Sequence, residues 1–81
     1  MTNPLFSSMK QSILDGDSDA AVTLAKQALK DNLDPLEAIN LGFLPGMNEI
    51  GEQFGAGHLF LPDVIMAAEA MKKATSILNQ K

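Results

Sequence analysis

The sequence predicts an all-α fold, an up-and-down four-helix bundle with a kinked third helix. Three observations carry that expectation. Apolar residues recur at three- and four-residue steps in four separate segments, the spacing of one helix face. Two of those segments open on a capping residue followed by proline, Asn3-Pro4 and Asp34-Pro35. No segment alternates apolar and polar residues as a half-buried strand would.

In the first helix Phe6, Met9 and Ile13 form the apolar face, and Asp15-Gly16-Asp17 ends it and caps the next. In the second, Ala21, Leu24, Ala25, Ala28 and Leu29 form a stripe, while Lys26, Gln27, Lys30 and Asp31 face water. Asn32 suits the left-handed residue that closes a helix. Leu36, Ile39, Phe43, Met47, Ile50 and Phe54 then mark one face of a long third helix. Pro45 has no N–H to give the Leu41 carbonyl, and its ring crowds that turn. The expected result is a short helix to about Leu41, a kink over Gly42 to Pro45, and a second piece to about Phe54. Gly55-Ala56-Gly57 closes the third helix and Pro62 opens the fourth. The fourth helix has the stripe Val64, Ala67, Ala68, Met71, Thr75 and Leu78. Short connections favour antiparallel neighbours.

A chain of 81 residues has room for one domain, read here as a single helical domain over residues 1–81. It buries only about two-thirds of the surface its unfolded form exposes, so a partner domain or a homodimer is expected to complete it. The absence of cysteine excludes disulfides and thiolate metal sites. Net charge is −4, and Lys10, Lys26, Lys30, Lys72 and Lys73 are scattered, which argues against a nucleic-acid partner. No charged leader precedes an apolar run, and no stretch nears the roughly 18 apolar residues of a membrane span. A cytoplasmic protein with no membrane partner is expected.

Candidate chemistry is sparse. Asp15, Asp17 and Asp19 alternate like the start of a calcium loop. The sixth and twelfth positions of that loop, normally glycine and glutamate, hold Ala20 and Lys26. A helix start complementing the macrodipole explains the acids better. His58 is the only histidine and reads as a solvated loop residue, with Glu49 and Glu52 on the polar face of the third helix. Glu69 is a lone acid beside alanines. Met9, Met47, Met66 and Met71 read as core filling. No nucleophile–base pair or metal set emerges, so the chain is expected to be no enzyme.

Two features resist a reading as plain packing. Gly42, Gly46, Gly51, Gly55 and Gly57 crowd a largely helical stretch, although each internal glycine costs about 1 kcal/mol relative to alanine. Tight helix packing and a C-cap account for Gly51 and Gly55, but less well for the whole set. Leu59-Phe60-Leu61 places three apolar residues in one short connection, which cannot turn them all into one core. At least one should face outward, as part of a docking surface.

Several blocks carry a resemblance: Gly42-Phe43-Leu44-Pro45-Gly46-Met47, Gly51-Glu52-Gln53-Phe54-Gly55-Ala56-Gly57, Phe60-Leu61-Pro62, and Ala67-Ala68-Glu69-Ala70-Met71-Lys72. In this order they resemble the helical cap domain of cobalamin-dependent methyltransferases, such as methionine synthase and the corrinoid carriers of methanol, methylamine and methoxy-compound metabolism. The resemblance spans essentially the whole chain. It implies a non-catalytic four-helix cap over the upper face of a methyl-corrinoid, shielding the methyl–cobalt bond and swinging aside for transfer. By position, Phe54 and Leu61 match residues that surround the methyl group, and Val64 matches a neighbouring contact. The implied cofactor is cobalamin. The implied partners are a corrinoid-binding Rossmann-like domain and a substrate-specific methyltransferase. In the family that domain follows the cap and carries an Asp-x-His-x-x-Gly sequence, which residues 1–81 lack. Cobalamin binding is therefore expected only together with such a domain. A sensory module of a cobalamin-dependent regulator is the alternative, but those caps present a tryptophan and a Glu-His pair, and this sequence has no tryptophan. A self-associating interaction domain is a further alternative.

Overall fold

Each helix begins and ends where side chains and backbone can satisfy its free polar groups. In the computed structural model, which describes residues 3–79, α1 spans Pro4–Leu14 and α2 Ser18–Lys30. A third arm follows as one continuous helical run. It comprises a single turn, α3 (Pro35–Glu37), a π-helical segment (Ala38–Phe43) and α4 (Leu44–Gly55). The last helix, α5, spans Leu61–Leu78. Side-chain oxygens of Asn3, Asp17 and Asp34 accept hydrogen bonds from the N–H groups of Leu5 (2.9 Å), Ala20 (3.1 Å) and Leu36 (2.9 Å). At the other ends Gly16, Asn32 and Gly57 adopt left-handed backbone, with φ of 63°, 60° and 83°. Each then closes its helix with the paired bonds of a Schellman motif. In the first, the N–H groups of Gly16 and Asp17 donate to the carbonyls of Ile13 and Ser12.

The third arm accommodates Pro45 by widening. The Leu44 N–H donates to the Ile39 carbonyl, five residues back, so the ladder has already left the α register where the proline N–H is missing. The irregular segment, Ala38–Phe43, begins four residues before the predicted kink and overlaps it only at Gly42 and Phe43, and the helical run is unbroken.

Around this irregular turn the backbone of α1 comes close. A methyl group on Gly42 would overlap the Met9 sulfur. One on Gly46 would lie 2.8 Å from the Lys10 carbonyl oxygen and 2.9 Å from Ile13 Cβ. Phe43 and Ile50 fill the core beside this crossing, with Phe6, Met9 and Ile13 of α1. On the other side α2 packs mainly on α5. Their buried faces are alanine rows, Ala21, Ala25 and Ala28 on α2 and Ala67, Ala70 and Ala74 on α5. α2 therefore makes its main contacts with α5 and α1 rather than with the arm that follows it. The all-α, four-helix reading of the sequence is what the chain forms.

Several residues depart from their expected places. Leu36 is 67% exposed, because the wider π turn rotates the start of the arm out of line with Ile39, Phe43, Met47 and Ile50. On α5 the buried row passes through Ala67, Ala70 and Ala74, leaving Ala68 exposed. Met66 is 53% exposed rather than core, covering the turn at Gly16. Gly51 and Gly55 were expected to serve tight packing and a C-cap; α4 does end at Gly55, but both glycines are exposed and a methyl group on either would meet nothing within 4 Å. The close approach belongs to Gly42 and Gly46.

The two kinds of glycine should respond oppositely to alanine. Gly46→Ala must push apart α1 and α4 and should cost about 1–2 kcal/mol net of its gain in helix propensity. Gly51→Ala fills open space on a helix face and should add up to about 1 kcal/mol, raising the melting temperature by roughly 4–8 °C. Thermal unfolding followed by circular dichroism checks both signs.

Candidate functional site

The connection from α4 to α5 is held by backbone bonds at both ends. As α4 ends, the N–H groups of Ala56, Gly57 and His58 donate to the carbonyls of Glu52 (3.0 Å), Phe54 (3.0 Å) and Gln53 (2.8 Å). Gly57, at φ 83°, permits the reversal. Phe60 then enters extended backbone, φ −100° and ψ 164°, as the N-cap of α5. A phenyl ring accepts no hydrogen bond from the first turn. Asp63 supplies the reciprocal half instead, its carboxylate accepting from the Phe60 N–H at 3.1 Å. The Asp63 N–H donates to the Phe60 carbonyl at 3.0 Å.

This scaffold sorts the three apolar residues of the connection. Leu59 packs inward against the core. Phe60 is 78% and Leu61 58% exposed, and Phe54, in the last turn of α4, is 44% exposed. Each forgoes part of the roughly 1.5–3 kcal/mol that burying such a side chain would contribute. Because α4 and α5 join here, Phe54 and Leu61 lie at one end of the helix pair. Val64, one turn into α5, is half-buried and packs against the core. Sequence reasoning missed Ile65, 54% exposed on α5. Its signal was the alanine row itself, which claims the inner face of α5 at Ala67 and Ala70 and leaves Ile65 outside.

The polar candidates fall elsewhere or serve structure. His58 is exposed in the connection, and Glu69 is exposed on α5. Glu49 pairs with Lys10 at 3.2 Å and accepts from Gln53 Nε2 at 3.1 Å. Asp15, Asp17 and Asp19 line an open cleft between α1 and α2 with Ser8, Thr23 and Leu24. There Asp17 caps α2 and Asp15 accepts from Gln11 Nε2 at 2.9 Å. Among the described residues no three histidine, aspartate or glutamate side chains converge on a metal position. The α4–α5 end thus presents apolar side chains to the outside. Its phenyl and aliphatic side chains exclude water and carry no nucleophile.

The family model described as the B12 binding domain matches residues 5–79. The chain belongs to that family. It is similar to trimethylamine corrinoid protein 2 of Methanosarcina mazei, 49% identical over 70 residues, which are 86% of this chain and 32% of that protein. A corrinoid protein of Desulfitobacterium hafniense is 38% identical over 79 residues, 98% of this chain and 37% of its own length. Among solved structures, the Methanosarcina barkeri monomethylamine corrinoid protein superposes with a TM-score of 0.88 at 30% identity. That match covers 91% of this chain and 35% of the solved one. The chain thus spans about a third of the length of these relatives. It has their helical cap fold, and every block that carried the resemblance lies inside the matched range.

The opposed orientations within the connection predict a split in stability. Leu59→Ala should cost about 1–2 kcal/mol, because a side chain packed on the core is lost. Phe60→Ala and Leu61→Ala should each change stability by less than about 0.5 kcal/mol. Urea denaturation of the three variants measures the difference.

Proposed function

We propose that this chain is the non-catalytic cap of a corrinoid methyl-transfer protein, covering the upper face of a methyl-corrinoid and shielding its methyl–cobalt bond. One observation carries the reading: Phe54 and Leu61 stand exposed on either side of a connection that hydrogen bonds hold in place. Apolar side chains held in solvent by a rigid scaffold are suited to being covered by something else. When bound, the corrinoid supplies a methyl group carried on cobalt. Phe54 and Leu61 wall that group from water and oxidants, and Val64 backs them from the first turns of α5. None of the three can attack a methyl group or ligate the metal, so the chain protects and does not catalyse.

The covering must be temporary. A cap that excludes water also excludes the methyl acceptor, so the bundle moves aside as a lid during transfer. Its partners in this reading are a corrinoid-binding Rossmann-like domain, which would hold the cofactor, and a substrate-specific methyltransferase. Trimethylamine and monomethylamine corrinoid proteins both resemble the chain, which supports a cap common to different methyl donors. Donor choice then belongs to the methyltransferase.

The test replaces the matching third of the Methanosarcina barkeri monomethylamine corrinoid protein with this chain and loads the chimera with methylcobalamin. Light cleaves the methyl–cobalt bond, and a closed cap returns the methyl radical to cobalt before it escapes. Photolysis should therefore run several-fold slower than for free methylcobalamin. The double variant Phe54→Ala and Leu61→Ala should recover most of the free rate. An unchanged rate in the double variant would remove those two residues from the role.

A further inference from the structure

We propose that the outward face at the start of the third arm docks the methyltransferase partner. Leu36, Leu41 and Leu44 form the apolar centre of that face, and the surface they fit carries apolar residues ringed by lysine and arginine. The naming of the partner rests on the cap reading; the face and its chemistry do not. The three leucines are 67%, 54% and 37% exposed, and none belongs to the core or to the layer packed on it. The π segment brings them together. An α-helix repeats its face after about seven residues, and the π widening takes up about one residue more. Leu36 and Leu44 lie on either side of that segment and so share a face, with Leu41 one turn before Leu44. Ala38, Gly42, Phe43 and Gly46 fill the opposite, inner side.

This face is separate from the α4–α5 end. Leu44 opens α4 and Phe54 stands in its last turn, about 15 Å further along the axis, while Leu36 and Leu41 lie further back. A cap that covers a corrinoid with one end thus keeps the other free. Charge selects the occupant. Between Lys30 and Lys72 the sequence holds no lysine or arginine. Asp34, Glu37 and Glu52 are exposed along this arm, and Lys10 reaches from α1 to pair with Glu49. A second copy would set these carboxylates against their own kind, and nucleic acid or an anionic membrane would be repelled as well. Lysine and arginine around an apolar centre complement both features. Three part-exposed leucines fall well short of the about 800 Å² a side that a standard complex buries. The contact is therefore brief, with charge speeding the encounter, which suits a carrier that must leave its enzyme after each transfer.

The same chimera tests the assignment with two readouts. One is its KM as substrate of the methyltransferase partner of the Methanosarcina barkeri protein, and the other is its photolysis rate. The double variant Leu36→Ser and Leu41→Ser should raise KM at least fivefold and leave kcat and the photolysis rate unchanged. Glu37→Lys should raise KM at least twofold at low salt, and that effect should shrink as salt is added. All three positions are exposed, so the melting temperature of the isolated chain should shift by less than about 3 °C in each variant. An unchanged KM in the double variant overturns the proposal. So does a chimera that the enzyme cannot methylate while slow photolysis shows its cap to be closed. A dimer of the isolated chain that the double variant dissociates gives the face to a second copy and overturns it too. Photolysis as fast as for free methylcobalamin fails the cap reading instead, and a fivefold rise in KM then still supports the docking face.

Discussion

The arrangement of this bundle depends on how closely α1 can cross the third arm. Gly42 and Gly46 stand one turn apart at that crossing, and the Met9 side chain and Lys10 backbone occupy the space a side chain would need. Between the glycines lies Pro45, which withholds one N–H from the ladder. The π segment just before it takes up the mismatch and turns Leu36 away from the core. Beyond Pro45 the helix is regular, so the crossing and the π turn together set the direction of α4. The Lys10–Glu49 pair spans the same crossing at 3.2 Å. Both side chains are substantially exposed, so it adds at most about 1 kcal/mol. Shape at the glycines, not charge, holds this part of the fold.

The rest of the molecule divides bulk in an unusual way. Where α2 meets α5 the interior is built from alanines, which allow close approach but contribute little apolar area each. Several larger side chains of the connection and the first turns of α5, Phe60, Leu61, Ile65 and Met66, are instead on the outside. An independent small domain would gain stability by exchanging these positions. Their present distribution puts apolar side chains on the outside of a chain that belongs to the B12 binding domain family. The outward residues sit on two helix ends fixed by a Schellman motif and by Asp63, so the face is preformed rather than assembled on contact.

Much of this was legible in the chain itself. Asn3, Asp17 and Asp34 cap the helices they were expected to cap, and Asn32 takes the left-handed conformation expected of it. These are local events, settled by side chains within three residues of the groups they satisfy. The outward turn in Leu59-Phe60-Leu61 was also readable, because a short connection cannot bury three consecutive side chains. The glycines were misread in part. Sequence spacing shows that Gly42, Gly46, Gly51 and Gly55 lie on a helix, but not which of them another helix approaches. Leu36 and Ala68 were placed on apolar faces by a uniform helical period. One was rotated out by the π turn, and the other gave way to the adjacent alanine row.

By itself, then, the sequence determined the four helical arms, the caps at Asn3, Asp17 and Asp34, an irregularity before Pro45 in the third arm, and the segment in which apolar residues had to face outward. Each follows from interactions within a turn or two of chain. Tertiary structure alone decided that α2 lies on α5 rather than on the arm that follows it, and that Gly42 and Gly46 serve the α1 crossing while Gly51 and Gly55 stay bare. It also turned Leu59 inward with Phe60 and Leu61 outward. The reason is common to all three. Each depends on which face a distant helix occupies, and helical periodicity says where a face is without saying what lies against it.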